Sequence, residues 1–565
     1  MLKKSKFWLI LLISVALLPL LDFFKPGLPL THDGQDHVAR LASFYQSLAE
    51  GNLVPRWAGD LNWLYGTPVL MFFYPLPSYF GSLFHFMSFS FVDSAKIVFG
   101  LSFVLSGVFM FLWIKEIWGK QSGFAAGLVY MFASYRFVDL YVRGAIGECW
   151  GFVWPPLICW FALKFAQKPA RRYLAGGSLS LAALILSHNA LSLMFLPVIF
   201  GYMIYLVFSI PKAKFRLSVI SYLLSVILGF GLAAFFWFPA FFEAKYTLRD
   251  IVTKDNIMGF KNFFQLLWTP WNYGGTELLS VQLGVLQWLA VGVAPLAIWQ
   301  FWRQKSQAWR WLLFLLVCFG LAIFLILPAA QSWYLKISLL QKFQFAWRFL
   351  SLAVLPPAVF TAAEVYLLPQ KFKLPVISGL LLAILIFNQN FWHAKDFLVK
   401  QESFYTQNYP GSTNDTGESS PIWSTRAMYQ FSRAPLEVIE GEAEIKQIER
   451  KTTKHVYQAM VQKETRLVDN TLYFPGWQVL VDGQSVEIEF QDPAWRGLMT
   501  FNVPAGEHEI AVRFSETKLR LLADLISLGS LLLLVGSAAV IKFKKYQVSP
   551  ARWAEPASQV EFKKK

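Results

Sequence analysis

Apolar residues occur along this chain in long runs that are separated by short segments rich in lysine and arginine. A hydrocarbon core about 30 Å thick is crossed by a helix of about 20 residues, and twelve of the runs are long enough. The predicted membrane helices lie at 7–24, 95–114, 122–140, 149–166, 172–188, 190–209, 217–240, 281–301, 310–329, 347–367, 374–391 and 519–541. The pattern therefore predicts a polytopic α-helical membrane protein with about 12 transmembrane helices.

The basic residues indicate how these helices are oriented. Cytoplasmic loops carry an excess of Lys and Arg. When the first helix runs outward, every inner connection is basic, from Lys115 and Lys120 to the tail with Lys542 and Lys545. The run after Lys6 is followed by no small-residue cleavage site, so we expect an uncleaved first helix. The sequence thus predicts a multi-pass protein of the cytoplasmic membrane with both termini in the cytoplasm.

Residues 68–91 form one further apolar stretch that we do not count as a membrane helix. Counting it would place Lys115 and Lys120 outside and would invert every later loop. The stretch also contains three prolines and many aromatic side chains. We therefore predict that it lies in the outer membrane interface.

Near the C-terminus the pattern changes from apolar runs to alternating strands. Asp482-Gly483 stands between two alternating segments, which is a strong hairpin signal. Another strand pair is predicted around the turn Pro504-Ala505-Gly506. These patterns predict a small β-sandwich domain on the outer face, in which Trp477 and Trp495 either fill the core or stack on sugar rings.

Together these signals divide the chain into five parts. They are a transmembrane domain over 1–400 with a long first outer loop at 22–94, a linker at 401–433, the β-sandwich at 434–517, a last membrane helix at 518–541 and a basic cytoplasmic tail at 542–565.

Composition and charge narrow the function classes. The net charge is +16, but the basic residues lie in short clusters between apolar runs, so they indicate anionic lipid rather than nucleic acid. The three cysteines have no zinc or disulfide spacing. The sequence contains no Walker loop and no dinucleotide fingerprint. We therefore expect an activated substrate to arrive from the membrane.

The first outer loop opens with a polar motif directly after a membrane helix. Asp33 and Asp36 are candidates for a catalytic base or for ligands of a divalent cation, and His37 is a weaker ligand candidate. Arg40 is a candidate substrate-binding residue. A simple pairing of Asp36 with Arg40, four residues apart, is the alternative.

Two further motifs place arginine at the outer surface. The spacing of Arg136, Asp139 and Arg143 predicts one face of a helix, where the arginines suit phosphate or form a ladder with Asp139. Arg348 stands alone in an aromatic run, and it suits a lipid phosphate or extends to the interface for solvation. The remaining candidates for the substrate site are Tyr141, Glu148 and His188.

Taken together, the motifs HDGQDHVAR, YRFVDLYVRGAIGE, FQFAWRFL and GESSPIW resemble the GT-C glycosyltransferase superfamily. More specifically, they resemble bacterial membrane proteins described as having a "6-pyruvoyl-tetrahydropterin synthase-related" membrane domain. The C-terminal segments YFPGWQVLVDGQSV and VPAGEHEIAVRF resemble the end of related bacterial proteins linked to glycosylation of wall or lipoteichoic polymers. The motifs extend over most of the chain. Pterin chemistry is not expected, because a zinc-binding histidine set is absent from the sequence.

The resemblance implies a transferase that moves a sugar from a polyprenyl-phosphate carrier to an extracytoplasmic acceptor. Asp33 would be the base or metal carboxylate, and Arg143 and Arg348 would hold the donor phosphate. Members of the superfamily differ in whether they need a divalent cation such as Mg²⁺ or Mn²⁺, so the resemblance leaves the metal open. The alternatives are a non-catalytic envelope-assembly or glycan-binding protein and a transporter or flippase of lipid-linked glycans.

Overall fold

A computed structural model describes residues 2–209, 212–254, 259–274, 279–407, 409–414 and 417–540. Most of these residues are helical. The helices in the first half are α1 (Leu2–Leu17), α2 (Gly34–Ala49), α3 (Val69–Phe72), α4 (Leu76–Phe86), α5 (Phe91–Met131), α6 (Ser134–Phe137), α7 (Ile146–Gly151), α8 (Trp154–Gln167), α9 (Arg171–Ser187), α10 (Asn189–Ser209), α11 (Lys212–Leu232) and α12 (Ala234–Phe242). Those in the second half are α13 (Arg249–Lys254), α14 (Phe263–Leu267), α15 (Val285–Arg303), α16 (Ala308–Ile326), α17 (Gln331–Lys336), α18 (Ser338–Gln341), α19 (Leu350–Ala353), α20 (Leu355–Leu367), α21 (Gln370–Asn388), α22 (Glu402–Thr406) and α23 (Lys518–Val540).

Ten helical segments in the described part of the chain are long and apolar enough to cross a membrane. They are Lys6–Phe24, Phe91–Met131, Ile146–Gln167, Asn189–Ser209, Phe215–Leu232, Val285–Arg303, Ala308–Ile326, Ala346–Leu367, Gln370–Asn388 and Lys518–Gly536. The prediction of a polytopic α-helical membrane protein is confirmed. The predicted span at 172–188 corresponds to α9, a 17-residue helix. The predicted tail at 542–565 lies outside the described residues.

The predicted second and third membrane helices are the two arms of α5. The arms meet at Gly119, whose φ of +84° suits a residue without a Cβ atom. The two arms pack so closely that a Cβ atom at Gly107 would collide with the side chain of Met131. The second arm ends at Met131, so the prediction of one continuous helix over 122–140 is wrong at its far end. Residues 134–143 form the short helix α6 and a π-helical turn instead.

The apolar stretch 68–91 contains two short helices, α3 and α4, and the start of α5. Pro75 lies directly before α4, and Pro77 lies in its first turn. A proline is tolerated there because the backbone N–H that it lacks would have no hydrogen-bond partner within the helix. Helices of 4 and 11 residues are too short to cross a bilayer. The stretch therefore does not form a membrane-crossing helix.

Two small strands, β1 (Leu28–Pro29) and β2 (Phe397–Leu398), pair beside the first loop. The other strands form two facing antiparallel sheets. They are β3 (Leu436–Glu440), β4 (Ala443–Lys451), β5 (Lys454–Val461), β6 (Thr465–Leu472), β7 (Trp477–Val481), β8 (Gln484–Val486), β9 (Leu498–Val503) and β10 (Gly506–Phe514). One sheet has the order β4-β5-β10-β7-β8 and the other has the order β3-β6-β9.

Alternating side chains from both sheets fill the core of this sandwich, including Val479 and Ile510 from one sheet and Leu467 and Phe501 from the other. The β7–β8 hairpin turns at Asp482-Gly483, where both residues have positive φ, as the sequence predicts. The predicted second strand pair is wrong as a hairpin. The turn before β10 carries the chain from one sheet to the other, so β9 and β10 lie in opposite sheets.

Ion pairs of two buried arginines fix the sandwich to the membrane helices. Arg520 of α23 donates from Nε to Glu243 Oε2 at 2.8 Å and from Nη2 to the carbonyl oxygen of Pro475 at 2.6 Å. Arg56 of the first loop donates to Glu516 and Asp524, each at 2.7 Å. The same contact region contains Trp57 of the first loop, which packs edge-on against Trp477. Trp477 therefore fills the core rather than stacking on a sugar.

We expect Arg520→Met to reduce the free energy of unfolding by about 3–5 kcal/mol, because it leaves the buried carboxylate of Glu243 without its cation. Denaturant unfolding in detergent micelles measures the change. Lys451→Met is the control, since Lys451 forms an exposed ion pair with Glu449 and should change little. Adding Glu243→Gln to Arg520→Met should recover part of the loss. A loss no larger than that of the control would show that the ion pair does not hold the sandwich in place.

Candidate functional site

Glu148 in α7 lies at the centre of a buried polar cluster. Its Oε1 accepts hydrogen bonds from Arg143 Nη1 at 2.7 Å and from Arg348 Nε at 2.9 Å. Its Oε2 accepts from the hydroxyls of Tyr135 at 2.9 Å and Ser351 at 3.2 Å. The side chain of Glu148 is only 1% exposed. One carboxylate therefore connects two motifs that are 200 residues apart in the sequence.

The π-helical turn Val138–Arg143 positions Arg143. Asp139 Oδ1 accepts from Arg143 Nη1 at 2.7 Å. The turn ends at Gly144 in the left-handed conformation, with φ of +67°. A Cβ atom at Gly144 would also collide with the side chain of Thr31. Glycine therefore allows both the sharp exit from the turn and the approach of the first loop.

Arg136 does not join this cluster, which corrects the predicted shared helical face. A π-helical turn contains more residues than an α-helical turn, so the predicted i, i+3, i+7 spacing no longer places the three side chains together. Arg136 Nη2 instead donates to Ser106 Oγ at 3.0 Å. Its guanidinium carbon lies 3.9 Å from the ring centroid of Phe152.

Backbone hydrogen bonds bring the first-loop motif to the same place. The amide nitrogen of His32 donates to the carbonyl oxygen of Val142 at 3.0 Å, and that of Asp33 donates to the carbonyl oxygen of Arg143 at 2.8 Å. Helix α2 then begins at Gly34. The partly exposed carboxylate of Asp33 lies close enough to interact electrostatically with Arg143.

The other polar residues of the motif contact the linker. Asp36 Oδ1 accepts a hydrogen bond from the Tyr409 hydroxyl. Arg40 donates to the side chain of Thr413 at 3.2 Å and to its carbonyl oxygen, and it donates from Nη1 to His37 Nδ1 at 2.9 Å. Asp36 and Arg40 thus bond the linker rather than each other, and their predicted roles in catalysis and substrate binding remain predictions.

The geometry does not fit the divalent-cation site proposed for Asp33, Asp36 and His37. Within the described ranges, no group of three His, Cys, Asp or Glu side chains is arranged to hold a metal ion. Nδ1 of His37 is already bonded to Arg40. We therefore assign no chemical step to a metal ion.

Two other candidates lie in different surroundings. The hydroxyl of Tyr141 donates to the carbonyl oxygen of Pro19, and the ring packs against Phe23. The structure thus places Tyr141 against the first membrane helix. His188 Nδ1 accepts from the amide nitrogen of Leu191 at 3.2 Å. Its ring stacks on Tyr74 with centroids 5.1 Å apart.

Three residues of the site were not identified from the sequence. Tyr135 and Ser351 donate hydrogen bonds to Glu148. Each lies within three residues of an arginine that the sequence predicted for the site, and this closeness was a signal that could have identified them. Tyr74 packs beside the site from the stretch 68–91, where it is one aromatic residue among many. No local pattern distinguishes it from its neighbours.

The cluster leaves guanidinium N–H groups available in a fixed orientation. In the described part of the chain, Arg143 Nε and Nη2 and Arg348 Nη2 have no hydrogen-bond partner. The guanidinium of Arg143 stacks 4.6 Å from the ring centroid of Trp347. The guanidinium edges that are paired with carboxylates therefore fix the two arginines in place. Their remaining N–H groups suit an anionic oxygen beside Asp33.

Comparison with known proteins gives one sequence relative and several structures. No family model matches the chain. An uncharacterized protein of Lactococcus lactis subsp. cremoris is 24% identical over 279 residues, which cover 47% of this chain and 45% of that protein. The match thus extends over less than half of the relative's length. The resemblance to the pterin-synthase-related family stays a prediction.

The solved structures that resemble the chain include the following three. Arabinofuranosyltransferase AftD from Mycobacteria has a TM-score of 0.44 and 16% identity over 68% of this chain and 26% of its own. The archaeal oligosaccharyltransferase AglB from Archaeoglobus fulgidus, in complex with an inhibitory peptide and a dolichol-phosphate, has a TM-score of 0.44 and 12% identity over 74% and 61%. ArnT from Cupriavidus metallidurans bound to undecaprenyl phosphate has a TM-score of 0.39 and 14% identity over 70% and 68%.

We expect Glu148→Gln to lower the free energy of unfolding by about 3–5 kcal/mol, because it leaves two buried guanidiniums without their shared carboxylate. The matched control is Glu116→Gln, whose carboxylate forms a half-buried ion pair with Lys164 at 3.2 Å and should cost under about 1 kcal/mol. Denaturant unfolding in micelles compares the two variants. Equal losses would contradict a central role for Glu148.

Proposed function

We propose that this protein is a membrane glycosyltransferase that moves a sugar from a polyprenyl-phosphate donor to an extracytoplasmic acceptor. One observation carries the proposal. The backbone bonds of His32 and Asp33 to Val142 and Arg143 place a partly exposed carboxylate beside guanidiniums that have available N–H groups. A base for a hydroxyl nucleophile and a site for a phosphate are the two components that this reaction needs.

The arginines of the cluster suit the donor. Arg143 and Arg348 are both paired with Glu148, and each keeps N–H groups that no described residue accepts. A sugar linked to a lipid through one phosphate carries a single negative charge in the diester. We propose that the available edges of Arg143 and Arg348 bind the phosphate oxygens while the polyprenyl tail stays in the bilayer.

In the reaction, the acceptor hydroxyl oxygen attacks the anomeric carbon while the bond from that carbon to the phosphate oxygen breaks. The electron pair of the broken bond goes to the phosphate, and the hydroxyl proton goes to the carboxylate of Asp33. A single displacement of this kind inverts the anomeric configuration. A positioned base contributes about 10²–10⁴-fold to such a step.

The side of the membrane is also part of the proposal. The clustering of Lys and Arg in the other connecting loops supports a first loop and a sandwich on the outer face. Arg56 lies in the same first loop as Asp33, and it pairs with Glu516 directly after the last strand of the sandwich. Acceptors that carry hydroxyl groups, such as a glycan, an envelope polymer or a protein, would reach the site from that side.

We expect Asp33→Asn to lower kcat for sugar transfer by about 10²–10⁴-fold while the protein still folds, because asparagine has nearly the same size. The measurement is transfer of radiolabelled hexose from polyprenyl phosphate in liposomes. Asp93→Asn is the control, since Asp93 pairs with Lys96 at the start of α5 and should keep wild-type activity.

If Asp33→Asn transfers sugar as fast as the control, Asp33 is not the base. If the wild-type protein binds the lipid donor without transferring sugar to any acceptor, the alternative of a non-catalytic glycan-binding or assembly protein gains support. If neither the wild type nor Asp33→Asn binds the donor, the proposed link to lipid-linked sugars is wrong.

A further inference from the structure

Tyr74 lies in the break between α3 and α4 and is held tightly on both sides. Its ring stacks on His188 with an interplanar angle of 23°. On the other side, a Cβ atom at Gly147 would collide with the Tyr74 ring. Gly147 directly precedes Glu148, so the close approach brings Tyr74 next to the central carboxylate of the site. The side chain is therefore fixed in position without any hydrogen bond from its own hydroxyl.

The position of Tyr74 connects the first-loop motif to the arginine cluster. The hydroxyl lies within electrostatic range of Asp33 and Arg40 on the first loop and of Glu148 and Arg348 in the cluster. Across the ranges that the structure describes, no residue accepts a hydrogen bond from this hydroxyl, and the side chain is partly exposed. The phenol is thus an unpaired polar group at the point where acid and guanidiniums meet.

A small cavity adjoins the Tyr74 side chain. Its lining includes His37, Arg40, Phe73 and Tyr74 from the first loop and Ile146 from α7. The guanidinium of Arg40 lies 3.4 Å from the ring centroid of Phe73 and is held by the linker. A cavity with one fixed cation and one free hydroxyl on its wall suits an anionic oxygen.

Tyr74 can act only as a hydrogen-bond donor toward such an oxygen. Burial raises the pKa of Tyr74 well above its usual value. The phenol therefore keeps its proton at neutral pH. A neutral donor that is already oriented stabilises the transition state most when the negative charge on its acceptor increases during the reaction.

We infer that the Tyr74 hydroxyl donates a hydrogen bond to the phosphate oxygen that leaves the anomeric carbon of the lipid-linked sugar. The inference rests on the proposed glycosyltransferase function. As the bond between carbon and oxygen breaks, the electron pair moves onto that oxygen, and the hydrogen bond strengthens with it. His188 is then a positioning residue, because it orients the ring of Tyr74 without touching the substrate.

The test compares Tyr74→Phe with Tyr79→Phe in the liposome transfer assay. Phenylalanine keeps the stacking on His188 and removes only the hydroxyl. Tyr79 is a matched control, because it lies five residues away and its hydroxyl donates to the carbonyl oxygen of Leu53 at 2.8 Å. We expect Tyr74→Phe to lower kcat on the order of a hundredfold with little change in KM, and Tyr79→Phe to match the wild type.

A second measurement separates a chemical role from a packing role. Fluorinated tyrosines introduced at position 74 make the phenol a stronger donor without changing its shape greatly. We expect kcat to rise with the acidity of the phenol as long as it stays protonated. A residue that only packs against His188 would show no such trend.

Binding of polyprenyl phosphate, the leaving product, gives a readout that does not depend on turnover. We expect Tyr74→Phe to bind it several-fold more weakly than Tyr79→Phe does, since cleavage adds negative charge to the phosphate whose oxygen accepts the hydrogen bond. If the wild type transfers no sugar but this difference in binding appears, the proposed function fails while the contact to phosphate stands. If the wild type transfers sugar and the two variants are equally active, or Tyr74→Phe changes KM alone, the inference is overturned.

Discussion

The site depends on one constraint, which is that buried guanidiniums need a carboxylate. An arginine in the apolar interior of a membrane domain is costly unless it is paired, and Glu148 accepts hydrogen bonds from both Arg143 and Arg348. The pairing fixes more than charge. Because Arg143 is the last residue of the π-helical turn and Arg348 precedes α19, a single carboxylate connects the middle of the membrane domain to its later helices. Tyr135 and Ser351 complete the coordination of the second oxygen, so Glu148 has little freedom to turn away from either arginine.

This pairing also prepares the arginines for a ligand. A guanidinium has five N–H groups, and pairing one edge with a carboxylate leaves the remaining edge in a fixed orientation. Binding of a substrate phosphate then costs no free energy for ordering these side chains, which is the usual advantage of preorganised donors. Arg136 shows the contrast. It is equally buried, but in the described part of the chain it bonds only Ser106 of α5 and lies over Phe152, between α7 and α8. Its role is therefore more closely tied to packing than to an open site.

The sequence predicted the features that depend on local periodicity. Apolar runs identified the membrane helices. Asp482-Gly483 identified the β7–β8 hairpin, because a two-residue turn with positive φ strongly favours a few residue types such as Asp and Gly. It could not predict which sheet β10 joins, since alternation is the same in either sheet. It also placed Arg136, Asp139 and Arg143 on one face, because residue spacing alone does not distinguish an α-helical turn from a π-helical one. Tyr74 was missed for a related reason: its importance comes from Gly147 and His188, which are distant in the sequence.

The linker and the sandwich change how the first loop should be understood. Asp36 and Arg40 look like site residues in the sequence, yet both bond the segment 409–413 of the linker. Asn62 of the same loop accepts from the amide nitrogen of Met428 at 2.9 Å, and Arg56 pairs with Glu516 before α23 and with Asp524 within it. The helix that presents Asp33 is therefore held from the C-terminal side of the chain as well as by Arg143. Since Asp33 can serve as a base only where α2 places it, the sandwich and its linker contribute to the geometry of the proposed active site, although none of their side chains needs to touch the substrate.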